Sequence, residues 1–124
     1  MRYLVLIHLD EKELFALPEA EMSSLNAAHV VLNESLRGSG HFIEAEALGS
    51  AKATKVLRMR DGKARITDGP FAEAKEMVAG FYLIEADDMS EALDIASRIP
   101  SAARGTIEVR ETRRLVVDGK EVDA

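Results

Sequence analysis

One histidine in the middle of an apolar stripe and one aspartate set in a Gly-Pro turn are the residues here best placed to do chemistry. His29 stands in Ala27-Ala28-His29-Val30-Val31-Leu32. An imidazole in such a run is at least half buried, neutral and hydrogen-bonded, which suits a general base or a structural donor. Asp68 opens Asp68-Gly69-Pro70-Phe71, a carboxylate, a permissive glycine, a φ-locked proline and an aromatic in succession. Two readings of that segment stay open. In one, Asp68 accepts backbone N–H groups in an Asx-type turn while Pro70 presets a helical turn and Phe71 anchors it. In the other, Asp68 sits at the mouth of a cleft with Phe71, Glu73 and Lys75 around a ligand.

Other chemistries find less support. With no cysteine, thiolate and disulfide chemistry are excluded. His8, His29 and His41 lack the i, i+4 spacing or dense clustering of a zinc site, so no metal is expected. His8 and His41, at strand ends, read as rim residues. There is no Gly-x-Ser-x-Gly elbow, and Gly38-Ser39-Gly40 does not follow a strand as a phosphate-cradling loop would. No cofactor is expected. Glu44 and Glu46 are placed by alternation on one strand face with Phe42, which could set two carboxylates along a cleft or simply in water.

The elements that must position these groups follow from periodicity. Residues 2 to 9 are apolar on both alternating sets, so this strand is covered on both faces. Pro18, Glu19 and Glu21 suit a helix start, and Met22, Leu25, His29, Leu32 and Leu36 recur at spacings of three and four until Gly38 and Gly40. A strand over His41 to Leu48 follows, then runs 54–59 and 63–67 around Asp61-Gly62, a tight-hairpin signal. A short helical turn over 72–78 leads to a strand at 80–86. Asp88 and Glu91 form a capping box for a helix buried through Met89, Ala92, Leu93, Ala96 and Ile99 and ended by Pro100. The last core strand is 105–110, and Leu115-Val116-Val117 adds a short edge piece.

That order describes an α+β fold: a ferredoxin-like split βαβ arrangement, with a four-stranded antiparallel sheet, two helices on one face and an inserted β-hairpin. The 124 residues fit one domain, with a core over 2–111 and an extension over 112–124. Two helices cover only one sheet face, yet strands 2–9 and 80–86 are apolar on both, so the other face calls for a second copy and a homodimer. The 22 acids against 16 bases, a net charge of −6, disfavour direct contact with nucleic acid or an anionic membrane. Residues 52–75 are the exception, carrying Lys52, Lys55, Arg58, Arg60, Lys63, Arg65 and Lys75 against Asp61, Asp68 and Glu73. A cytoplasmic location is the default in the absence of a long apolar run.

The chain resembles the DGPF group of the YCII-related family through Asp68-Gly69-Pro70-Phe71-Ala72-Glu73-Ala74-Lys75-Glu76, Gly80-Phe81-Tyr82-Leu83-Ile84-Glu85-Ala86 and Gly105-Thr106-Ile107-Glu108-Val109-Arg110. The resemblance implies a ferredoxin-like subunit in a dimeric α+β barrel. It also implies a small bacterial protein from a largely uncharacterised group, some members of which lie beside or are fused to sigma-factor-like regulators. In the YCII branch a helix-borne histidine and an aspartate near the end of the second helix form the proposed catalytic pair. The histidine corresponds to His29. The aspartate has no counterpart beside Ile99-Pro100, so Asp68 is the acid available to pair with His29 if the fold brings them together.

Two functions follow as expectations. The first is a dimer that binds a small polar ligand in a cleft and carries out cofactor-free acid/base chemistry with His29 and Asp68. The second is a non-catalytic accessory of a sigma-factor-type regulator, docking through the cationic hairpin. A closed pocket containing His29 and Asp68 favours the first, and an exposed apolar patch on the hairpin with no cavity favours the second.

Overall fold

The computed structural model describes residues 1–113 and 116–121. Strand β1 (Arg2–Leu9) buries Tyr3, Val5, Ile7 and Leu9 on one face and half-buries Leu4, Leu6 and His8 on the other. Asp10 then caps a short helix, α1 (Glu11–Phe15), by accepting the Lys12 N–H at 2.9 Å. The apolar spacing alone did not reveal this helix, because α1 has no buried residue to set a stripe.

Helix α2 (Glu19–Gly38) starts directly after Pro18, with Glu19 and Glu21 at its positive end. Its expected stripe divides in two. Leu32 and Leu36 are buried in the core, whereas Met22, Leu25 and His29 are only half-buried. Strand β2 (Phe42–Ala47) is followed by β3 (Lys55–Arg60) and β4 (Lys63–Asp68), joined by Asp61 and Gly62 at φ of 53° and 73°. Both central residues thus adopt the left-handed conformation that a two-residue hairpin requires.

Strand β5 (Met77–Glu85) begins earlier than the sequence suggested, and no helical turn forms over 72–76. Helix α3 (Met89–Ser97) is capped as expected, with Asp88 accepting the Glu91 N–H at 2.8 Å while Glu91 accepts the Asp87 N–H at 3.1 Å. It buries Ala92, Ile95 and Ala96, leaving Met89 and Leu93 exposed. A 3₁₀ turn at Pro100–Arg104 leads into β6 (Thr106–Glu111), and β7 (Val116–Val117) pairs with β8 (Lys120–Glu121). Of the expected edge piece, Leu115 lies outside the described residues.

The main sheet has the order β2-β5-β1-β6 with every neighbouring pair antiparallel, the split βαβ arrangement. Hairpin β3-β4 forms a separate sheet. One core cluster joins Leu32 and Leu36 of α2 and Ala92, Ile95 and Ala96 of α3 to Tyr3, Val5, Ile7, Tyr82 and Ile84, so both long helices cover one sheet face. Full burial of a side chain such as Leu36 or Ile84 contributes about 1.5–3 kcal/mol.

A bulge at Ile43 corrects one expectation. Phe42 is opposite Ile84 and Glu44 opposite Leu83, so two steps along β2 match one step along β5. The extra residue turns Phe42 toward the helices, where its ring meets Tyr82 edge-on at 6.4 Å and Arg37 stacks at 4.3 Å. Glu44 and Glu46 therefore lie on the opposite face from Phe42.

Candidate functional site

The N-terminal half of α2 stands away from the sheet and leaves a cavity of about 350 Å³. This explains the half-buried stripe: Met22, Leu25 and His29 line a space instead of filling the core. The opposite wall comes from Ile7, Leu9 and the β5 stretch Ala79–Tyr82, and α1 closes one side with Leu14 and Phe15. The rim is fastened by Glu11, whose carboxylate accepts from Ser50 Oγ at 2.9 Å and from the Ala51 N–H at 2.5 Å.

At the polar end of the cavity four side chains form one hydrogen-bonded chain. Tyr82 donates its hydroxyl proton to Asn33 Oδ1 at 2.5 Å. The Tyr82 hydroxyl oxygen lies 3.0 Å from His29 Nδ1, and His29 Nε2 lies 2.7 Å from Ser101 Oγ. Tyr82 has one proton, already committed to Asn33, so Nδ1 must donate to the phenol oxygen, and in a ring kept neutral by burial Nε2 then accepts from Ser101. That assigns the neutral Nδ1–H tautomer to His29.

Electrostatics agree with the assignment. Burial pushes the His29 pKa below its ordinary 6.5, and burial raises the Tyr82 pKa to about 12. The imidazole is held neutral and the phenol protonated. Each member owes its place to a local rule. Asn26, His29 and Asn33 are three and four residues apart and share one helical face, Tyr82 is a helix-facing residue of β5, and Ser101 follows Pro100 in the first turn of the 3₁₀ segment.

The fold does not bring Asp68 to His29. Asp68 ends β4 on the separate hairpin, exposed, where it pairs with Lys55 across the ladder. The Asx-turn reading is corrected too: the Asp68 carboxylate is taken by Lys55, and the Gly69 N–H carries the β3-β4 ladder one step further by donating to Thr54 O at 2.9 Å, ahead of a cis Gly69–Pro70 peptide. Phe71 does not anchor the segment, being 77 % exposed with Arg58 over its ring at 5.4 Å. Glu73 and Lys75 are exposed, and neither they nor Phe71 line the cavity. The side chain that occupies the far nitrogen of His29 is Ser101, next to the proline beside which an acid was sought.

Asn26, Asn33 and Ser101 were not marked as site residues by the sequence, and Tyr82 entered only within the Gly80 to Ala86 segment. Asn26 and Asn33 could have been found by their helical register with His29; nothing local marks Tyr82 or Ser101. Elsewhere, His41 Nε2 meets Glu91 Oε1 at 3.2 Å and its Nδ1 meets Ser39 Oγ at 2.7 Å, tying the end of α2 to the start of α3. His8 lies 2.5 Å from Glu108 Oε1 without hydrogen-bonding alignment. Among the described residues, no three His, Cys, Asp or Glu side chains converge as a metal site would require.

The model of the YCII-related domain matches residues 1–116. The chain belongs to the YCII-related family. Over 77 residues this YCII-related chain is 40% identical to an uncharacterized protein of Rhizobium meliloti (strain 1021), a match over 56% of this chain and 62% of that relative's length. Its fold is similar to a solved structure of 5-chloro-2-hydroxyhydroquinone dehydrochlorinase (TftG) from Burkholderia phenoliruptrix AC1100, in complex with 2,5-dihydroxybenzoquinone. The two agree with a TM-score of 0.54 at 15% identity, over 92% of this chain and 95% of that one. At that identity the likeness shows the fold.

Proposed function

We propose that this YCII-related protein binds a small molecule with an apolar body and one polar group in the α2 cavity and acts on it by cofactor-free acid/base chemistry at His29. The observation that carries this reading is the Ser101–His29–Tyr82–Asn33 chain at the wall of an otherwise mostly apolar cavity. A neutral imidazole in one tautomer, oriented by a phenol fixed in its turn, is the arrangement a general base needs. A bound group that gives its proton to Ser101 Oγ drives the Ser101 proton to His29 Nε2, forming an imidazolium that still donates through Nδ1 to Tyr82. Asp68 is not required for this step. The fold neighbour's complex with a small quinone is compatible with a small-molecule site in a fold of this kind.

A thermal-shift screen of small hydroxylated and carbonyl compounds tests the reading, since a ligand specific to the native state raises the melting temperature by mass action. Hits should fill the cavity and lose their shift, or their turnover, in His29→Ala. Hits whose shift and conversion are indifferent to His29→Ala remove His29 from the function.

The uncovered sheet face supports a dimer as part of the same proposal. Leu4, Leu6, Phe81 and Leu83 form an apolar centre there that no helix among the described residues covers. Membership of the DGPF group rests on the Asp68 to Glu76 segment. The alternative role, as an accessory of a sigma-factor-type regulator, is favoured by one feature: Leu57, Met59 and Ile66 of the hairpin are 60%, 56% and 67% exposed.

A further inference from the structure

Hairpin β3-β4 cannot be explained as a free-standing element. It pairs with neither edge of the main sheet, and a two-stranded hairpin by itself is marginal in water. Its register sorts the side chains by face. Leu57 is opposite Ile66 and Met59 opposite Ala64, giving one apolar side; Arg58 is opposite Arg65 and Arg60 opposite Lys63, giving one cationic side. Like charges placed directly across a ladder oppose its formation. An exposed apolar side and a self-repelling cationic side both call for a surface that is apolar and acidic.

The same chain carries such a surface. On the uncovered face of the main sheet, Leu4, Leu6, Phe81 and Leu83 are flanked by Glu44 and Glu46 on β2 and by Glu108 on β6. Of the basic residues on that face, Arg2 lies 4.0 Å from Glu85 and His8 lies 2.5 Å from Glu108, leaving Arg110 as the other cation there and Glu44 and Glu46 as the acids the arm would meet. The hairpin strands and their turn hold five cations against two acids, and one of each is used in the Lys55–Asp68 pair.

We propose that β3-β4 is an exchanged arm that lies on a second copy of this chain. Its Leu57–Met59–Ile66 side packs on the apolar centre of the copy's sheet face along β2, and Arg58, Arg60, Lys63 and Arg65 reach round the narrow ribbon toward Glu44 and Glu46. Two strands of six residues span roughly 20 Å, about the length of the strands they would cross. Each chain has one arm and one receiving face, so a two-fold axis satisfies both twice and closes the assembly. The inference rests on the dimer proposed above and adds what holds it together.

The absence of native cysteine makes cross-linking a clean test. Met59→Cys protein is mixed with Glu44→Cys protein and treated with a short bismaleimide. Light scattering follows the wild type and the Leu57→Asp/Ile66→Asp double variant. A wild-type dimer, a covalent species in the mixture that neither variant forms alone, and a dissociation constant about a hundredfold higher in the double variant are expected. A wild-type dimer with no mixed cross-link and an unchanged constant in the double variant overturns the arm and leaves the dimer standing. A chain carrying both cysteines that links only within itself overturns exchange, since the arm then covers its own molecule. A wild-type monomer at micromolar concentration overturns both the arm and the dimer.

Discussion

His29 takes its character from its neighbours. With Nδ1–H given to Tyr82 and Nε2 receiving from Ser101, it is a neutral ring whose pKa is lowered by burial. Between that lowered value and 6.5 the unfolded chain binds a proton that the native chain refuses, so this group's contribution to stability is full above about pH 6.5 and falls as the solution is acidified through that window. The gap in melting temperature between wild type and His29→Gln is therefore expected to narrow below pH 6.5, measured by thermal scans over pH 5 to 8. Tyr82→Phe leaves the Nδ1–H and Asn33 Oδ1 without their partner in a half-buried setting, at a cost of about 1–3 kcal/mol by urea unfolding. Ser101→Ala should keep ligand binding and lower turnover if the proton passes through Ser101 Oγ. Unchanged turnover would show that His29 takes the proton directly.

Elements decide how these residues meet, and two glycines show how tightly. A Cβ on Gly80 would stand 2.8 Å from Glu46 O, and one on Gly105 would stand 2.0 Å from His8 O. In both cases the obstacle is backbone, so a strand or the turn must shift. Gly80→Ala should separate β2 from β5 at the cavity wall and cost about 1–3 kcal/mol, with Gly105→Ala costing more, as read by denaturant midpoints at unchanged slope. The cap of α3 gives a milder case. Asp88→Ala removes an acceptor for the Glu91 N–H and should cost about 1 kcal/mol. This cap, the Asp61-Gly62 turn and the continuous apolar run of β1 were legible in the sequence because each is a rule about residues near one another. The bulge at Ile43 was not, because it exists only as a mismatch between β2 and β5, and its consequence was to move Phe42 away from Glu44 and Glu46.

At the scale of the whole molecule, the face carrying Leu4, Leu6, Phe81 and Leu83 predicts concentration-dependent stability. Melting temperature should rise with protein concentration if a second copy covers it. Leu6→Glu should abolish that dependence while leaving the far-ultraviolet spectrum intact, since Leu6 points away from the core. A melting temperature flat with concentration, together with a monomer by light scattering, would falsify the dimer. Periodicity, caps and turn residues by themselves determined the order of the main strands and the two longer helices, the antiparallel sheet, the surplus apolar face and the position of His29 on α2, because these depend on contacts within a few residues or on counting faces. Only the tertiary structure decided which groups His29 touches. Ser101 is 72 positions away from it in sequence and Tyr82 is 53 away, so no local pattern links them; the packing of α2 over β5 and the 3₁₀ turn does. The same packing leaves Asp68 out, because the hairpin that carries it pairs only with itself.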